Sequence, residues 1–94
     1  MNPVYDLCGY EKSTGTLAVE HPVAARFLPL VRTLVVAKPD DPELILPYEL
    51  SENAVATLAE ALGLSIDLRG FRFWFEASDA SEAEAGTRIV ATAP

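Results

Sequence analysis

Cys8 and His21 are the two side chains of this sequence best suited to covalent chemistry, because a thiolate is a nucleophile and an imidazole can take up its proton. Residues 3–10 and 16–23 alternate in polarity around Lys12-Ser13-Thr14-Gly15, whose glycine suits the left-handed position that closes a turn. The resulting hairpin can place Cys8 and His21 on neighbouring strands, with Asp6 or Glu20 as the carboxylate that orients the ring. The surroundings oppose this chemistry. A reactive thiolate needs electropositive neighbours, whereas Asp6, Glu11 and Glu20 are anionic, and a strand cysteine beside leucine behaves as a small hydrophobe. The chain is therefore expected not to be an enzyme, with an enzyme or accessory subunit using Cys8 and His21 as the alternative.

Asp40, Asp41 and Glu43 crowd one segment, the residue types that hold hard cations. Pro39 and Pro42 stiffen that segment, and it lacks the alternating oxygen ligands and the glycine of a calcium loop. One histidine and one cysteine do not make a transition-metal site. Gly63 and Gly70 stand outside any glycine-rich phosphate cradle. No metal and no other cofactor is expected.

The aromatic residues carry the remaining signal, since Tyr5, Tyr10, Tyr48, Phe71, Phe73, Trp74 and Phe75 are more than one sheet face can hide. Residues 71–76 read Phe-Arg-Phe-Trp-Phe-Glu, an alternation that sends the phenylalanines one way and Arg72, Trp74 and Glu76 the other. Tyr10 and Trp74, fringed by Glu11, Arg72 and Glu76, have the composition of a protein-binding hot spot. The expected partner surface is Tyr10, Arg72, Trp74 and Glu76, with the acidic residues Asp40, Asp41 and Glu43 as a second patch.

The elements that position these residues follow from pattern. Residues 3–10 and 16–23 form the hairpin, with Leu17, Val19, His21 and Val23 on one face and Pro22 confining its second strand to an edge or a bend. Apolar residues from Phe27 to Val36 follow helical spacing, and Pro29 fits only a first turn. A strand over residues 33–37 is the competing reading. Residues 38–42 are a loop, and residues 44–50 an extended connector. Ser51 caps a second helix whose stripe is Ala54, Val55, Leu58, Ala59 and Leu62, ended by Gly63. Residues 71–76 form the last strand. This gives an α+β domain over residues 1–77, in the order ββααβ, with a three-stranded antiparallel sheet and two helices on one face. Residues 78–86 hold only Ser, Asp, Ala, Glu and Gly, so residues 78–94 read as a disordered tail, with residues 87–91 able to add to a sheet edge.

Ninety-four residues suffice for one core and not two. Fourteen acidic against seven basic residues give a net charge of -7, which repels nucleic-acid backbones and anionic lipid and favours a basic protein partner. The single cysteine forms no internal disulfide, and no apolar run approaches the ~18 residues of a membrane span, so a cytoplasmic protein is expected. A homodimer built through a sheet edge is the third class of function.

Four segments, Gly9-Tyr10-Glu11-Lys12-Ser13-Thr14-Gly15-Thr16-Leu17, Asp40-Asp41-Pro42, Tyr48-Glu49-Leu50 and Phe71-Arg72-Phe73-Trp74-Phe75-Glu76-Ala77, carry a resemblance that spans most of residues 4–77. In order and spacing they resemble a family of short, uncharacterised bacterial domains, found beside toxin genes and regarded as immunity-like. The resemblance implies a small α+β fold more than a function; together with the acidic charge and the lack of a catalytic constellation it makes a non-enzymatic, partner-binding role the leading expectation. It brings no catalytic residues, and the chain after Ala77 lies outside it.

Overall fold

The alternation at the start of the chain becomes a β-hairpin in the computed structural model, which describes residues 3–79. Strands β1 (Pro3–Glu11) and β2 (Leu17–Val23) are joined by a turn in which Gly15 takes a φ of 73°. The Gly15 N–H donates to the Glu11 carbonyl at 2.7 Å, and the Glu11 N–H donates to the Thr16 carbonyl at 2.9 Å. The pairing then slips by one residue, Gly9 facing Val19 while Tyr10 faces Leu17. This bulge moves Leu17 off the Val19, His21 and Val23 face, where simple alternation had put it, because one extra residue reverses the side on which the preceding side chain lies.

A short 3-10 turn, Ala25–Phe27, leads into helix α1 (Leu28–Leu34), with Pro29 in the first turn where its missing N–H has no intrahelical partner to lose. The helix is shorter than its apolar pattern. It stops at Val35, which is extended at φ -128°, ψ 161°, so neither a helix to Val36 nor a strand over residues 33–37 forms. Val35 and Val36 are β-branched and resist the helical turn, and Val36 is left 96% exposed.

Helix α2 (Glu52–Leu62) follows its local signals closely. The Ser51 hydroxyl accepts from the Ala54 N–H at 3.1 Å, and Glu52 occupies the positive end of the dipole. At the other end Gly63 adopts φ 72°, and the Leu64 N–H reaches back to the Ala59 carbonyl at 2.8 Å.

The sheet has four strands rather than three. Residues 48–50, expected as an extended connector, form strand β3 (Tyr48–Leu50), which pairs with β4 (Phe71–Asp79) at Tyr48/Phe75, Glu49/Trp74 and Leu50/Phe73. The spatial order is β2-β1-β4-β3, antiparallel throughout, and the chain order of strands and α-helices is ββαβαβ. Three residues are too few for a periodic signal, so the strand is decided by what lies beside it. β4 pairs along the whole of β1, and Ser78 and Asp79 extend it two residues past the expected boundary at Ala77. The remainder of the expected tail, residues 80–94, lies outside the described residues.

Tyr5, Leu7, Val23, Tyr48, Leu50, Phe73 and Phe75 form the inner face of the sheet, against Val31 of α1 and Ala54, Val55 and Leu58 of α2. Each fully buried Leu, Val or Phe of this layer contributes about 1.5–3 kcal/mol through removal from water. Tyr5 stacks on Phe75 with centroids 5.4 Å apart. One face of the sheet is thus committed to the two helices.

Candidate partner-binding face

Pairing of β1 with β2 and β4, and of β4 with β3, writes the composition of the other face row by row. Its central row runs Glu20, Cys8, Trp74, Glu49 across all four strands. The row above is Leu17, Tyr10, Arg72, and the row below is Pro22, Asp6, Glu76. Tyr10, Arg72, Trp74 and Glu76, the expected partner surface, are therefore brought together on one face, and Trp74 is partly exposed near its centre. Arg72 is held by Glu49, Nε to Oε2 at 3.1 Å and Nη2 to Oε1 at 3.4 Å, a solvent-exposed pair that orients the guanidinium more than it stabilises the fold.

The Tyr10 hydroxyl donates to the Glu76 carboxylate. These two residues belong to the rows on either side of Cys8 and Trp74, so their contact crosses the central row. Cys8 is only 2% exposed, on the face that neither α1 nor α2 covers. Its thiol is pushed up to about 12 by burial and by the neighbouring charges of Glu76 and Glu20, and it donates to Glu20 Oε2 at 4.0 Å. Burial, the hydrogen bond to Glu76 and nearby negative charge likewise raise the Tyr10 hydroxyl, and burial with the charge of Glu76 raises Glu20.

His21 does not join this group. It pairs with Leu7, a residue of the inner face, whereas Cys8 pairs with Glu20 on the outer face, so cysteine and histidine lie on opposite sides of the sheet. A hairpin brings residues onto adjacent strands, but it is the register that decides whether they share a face. Glu76 and Glu20 bring negative charge to Cys8. Among the described residues, no group of three or more His, Cys, Asp or Glu side chains is arranged to hold a metal ion.

The second expected patch is divided. Asp41 is buried, and its carboxylate accepts from the Ile45 N–H at 2.8 Å, the Leu46 N–H at 2.9 Å and the Tyr48 hydroxyl at 2.7 Å. Burial alone would raise this carboxyl, and the three donors outweigh it, holding the group below its ordinary range. Asp41 is thus a buried bracket for the loop. It ties down the turn in which Leu44, fully buried, adopts a positive φ of 54°. Asp40 and Glu43 are exposed, but the Glu43 carbonyl accepts from the Tyr5 hydroxyl at 2.6 Å, and Tyr5 and Tyr48 both belong to the inner face. The loop therefore sits on the helix side, away from Trp74.

Glu20, expected only as a neighbour of Cys8, and Glu49, not singled out at all, are the two ends of the central row and stood outside the expected partner surface. Alternation along β1 places Asp6, Cys8 and Tyr10 together, but residues 20 and 49 join them only through register. At the hairpin end of the sheet, a groove of about 530 Å³ is lined by Lys12, Glu49, Ser51, Glu52, Phe71 and Arg72 among others.

No curated protein and no solved structure matches the chain. Among the described residues, no helix is long and apolar enough to cross a membrane. A family model does match, over residues 4–76, which takes in the hairpin, both helices, the loop bracketed by Asp41 and all of β4 up to Glu76. On that match the chain belongs to the family described as the domain of unknown function DUF7683.

Proposed function

We propose that this protein is a non-enzymatic protein-binding module that uses the outer face of its sheet to engage a basic partner. The observation that carries the reading is Trp74, partly exposed near the centre of a sheet face to which neither helix contributes, in a row that ends in Glu20 and Glu49. A large aromatic side chain surrounded by polar groups is the composition of an interface hot spot. The net charge of -7 favours approach of a positively charged surface and disfavours nucleic acid and anionic membranes. A raised thiol at Cys8 and its separation from His21 work against nucleophilic catalysis.

The face is a better candidate than an edge. Edge strand β2 carries Pro22, which has no N–H to offer an incoming strand, and a bulge at its Leu17 end. An immunity-like role in the cytoplasm, capture of a basic toxin included, is compatible with these features. The test is affinity purification of the tagged protein from its host, wild type beside Trp74→Ala. A stoichiometric partner with a basic surface should co-purify with the wild type and be lost with Trp74→Ala, while the variant keeps most of its stability. Recovery of the same partner by both proteins would exclude this face.

A further inference from the structure

We propose that Tyr10 is a latch laid across the outer sheet face, covering Cys8 and occupying the carboxylate of Glu76, so that the face has a closed and an open form. Three observations meet in this assignment. The register sets Tyr10 opposite Arg72, Cys8 opposite Trp74 and Asp6 opposite Glu76, so a contact from Tyr10 to Glu76 has to pass over the Cys8 and Trp74 row. That contact is made, hydroxyl to carboxylate. Beneath it Cys8 is 2% exposed, although it lies on the side of the sheet away from both helices.

The latch is held at its tip. The Tyr10 ring is tethered by one charge-assisted hydrogen bond, and the residue is itself partly exposed, so rotation about its own side chain opens it without unpairing β1 from β4. Opening uncovers the thiol and frees one carboxylate oxygen of Glu76 beside Trp74. On the reading of the outer face as the binding surface, a lysine or arginine of the partner would compete with the Tyr10 hydroxyl for Glu76. Binding and opening of the latch would then be one event, with the closed form autoinhibited.

Cys8 reports the latch in the free protein, so the test needs no partner and stands or falls separately from the binding role. Iodoacetamide alkylation is followed under native conditions over a range of pH for the wild type, Tyr10→Phe and Tyr10→Ala, alongside their urea midpoints. Tyr10→Phe keeps the ring and the Glu76 charge and removes only the tether. Its alkylation should be roughly ten-fold faster, the change in open population expected for losing one charge-assisted hydrogen bond at a partly exposed site, with Tyr10→Ala faster still. Well below the thiol pKa log rate rises with unit slope in all three proteins, so the gain is read as a ratio that is the same at each pH. Wild-type alkylation rates in both variants would overturn the proposal. So would gains that merely follow a loss of global stability measured by the urea midpoints.

Discussion

Gly9 lies inside β1 with Val19 on one side and Phe73 on the other, and a single methyl group there has nowhere to go. A Cβ at this position would stand 2.8 Å from Phe73 Cε1, 3.2 Å from Phe73 Cδ1 and 3.1 Å from Val19 Cβ. Comfortable carbon contacts need about 3.5–4.0 Å, so Gly9→Ala has to displace the Phe73 ring by several tenths of an ångström. That ring is 2% exposed and lies 6.1 Å, centroid to centroid, from Phe71, so it has little free volume to move into. Overpacking of this kind costs about 1–3 kcal/mol. Stiffening of the unfolded chain by alanine returns only ~0.4–1 kcal/mol, which leaves a net loss of about 1–2 kcal/mol. For a domain of this size, the melting temperature should fall by about 4–8 °C for each kcal/mol. Urea unfolding followed by Trp74 fluorescence measures the loss directly. A double-mutant cycle with Phe73→Leu identifies its source, since the shorter side chain removes the ring atoms in question and should make the double variant more stable than the sum of the single losses. Unchanged or increased stability in Gly9→Ala would refute this account, as would strict additivity in the cycle.

Two further outcomes test the core and the loop bracket. Leu58→Ala, at a fully buried position of α2 facing the sheet, should lower unfolding stability by ~2–5 kcal/mol, read from denaturant midpoints at unchanged slope. Asp41→Asn should weaken the loop and flatten the acid limb of the stability profile. Because the folded state holds the Asp41 carboxyl below its ordinary value, its ionised form contributes stability that is present above the unfolded carboxyl pKa of about 4 and lost as pH falls through the folded value. The difference between wild type and Asp41→Asn in thermal melts should therefore shrink toward low pH, and a constant difference would remove the charge of Asp41 from the explanation.

Much of this fold was legible where a few neighbouring residues decide the outcome. Ser51, the stripe from Ala54 to Leu62 and Gly63 specify α2 end to end, because caps and a left-handed stop are local chemistry. Alternation in residues 71–76 likewise settled which side of β4 carries the phenylalanines and which carries Trp74, since successive side chains of any strand face opposite ways. What depends on distant neighbours was not legible. Tyr48–Leu50 is a strand because Phe73–Phe75 runs beside it, and three residues hold no period from which that could be read. Asp40 and Asp41 are the same residue type in adjacent positions, yet one is solvated and the other bracketed, because only Asp41 meets the donors of Ile45, Leu46 and Tyr48 once Leu44 has turned. The row Glu20, Cys8, Trp74, Glu49 joins four strands from four places in the chain. Sequence determines the face each of those side chains takes within its own strand. Register is chosen by the burial of the whole inner layer, and a slip of one residue between β1 and β2 would have put Cys8 and His21 on the same face.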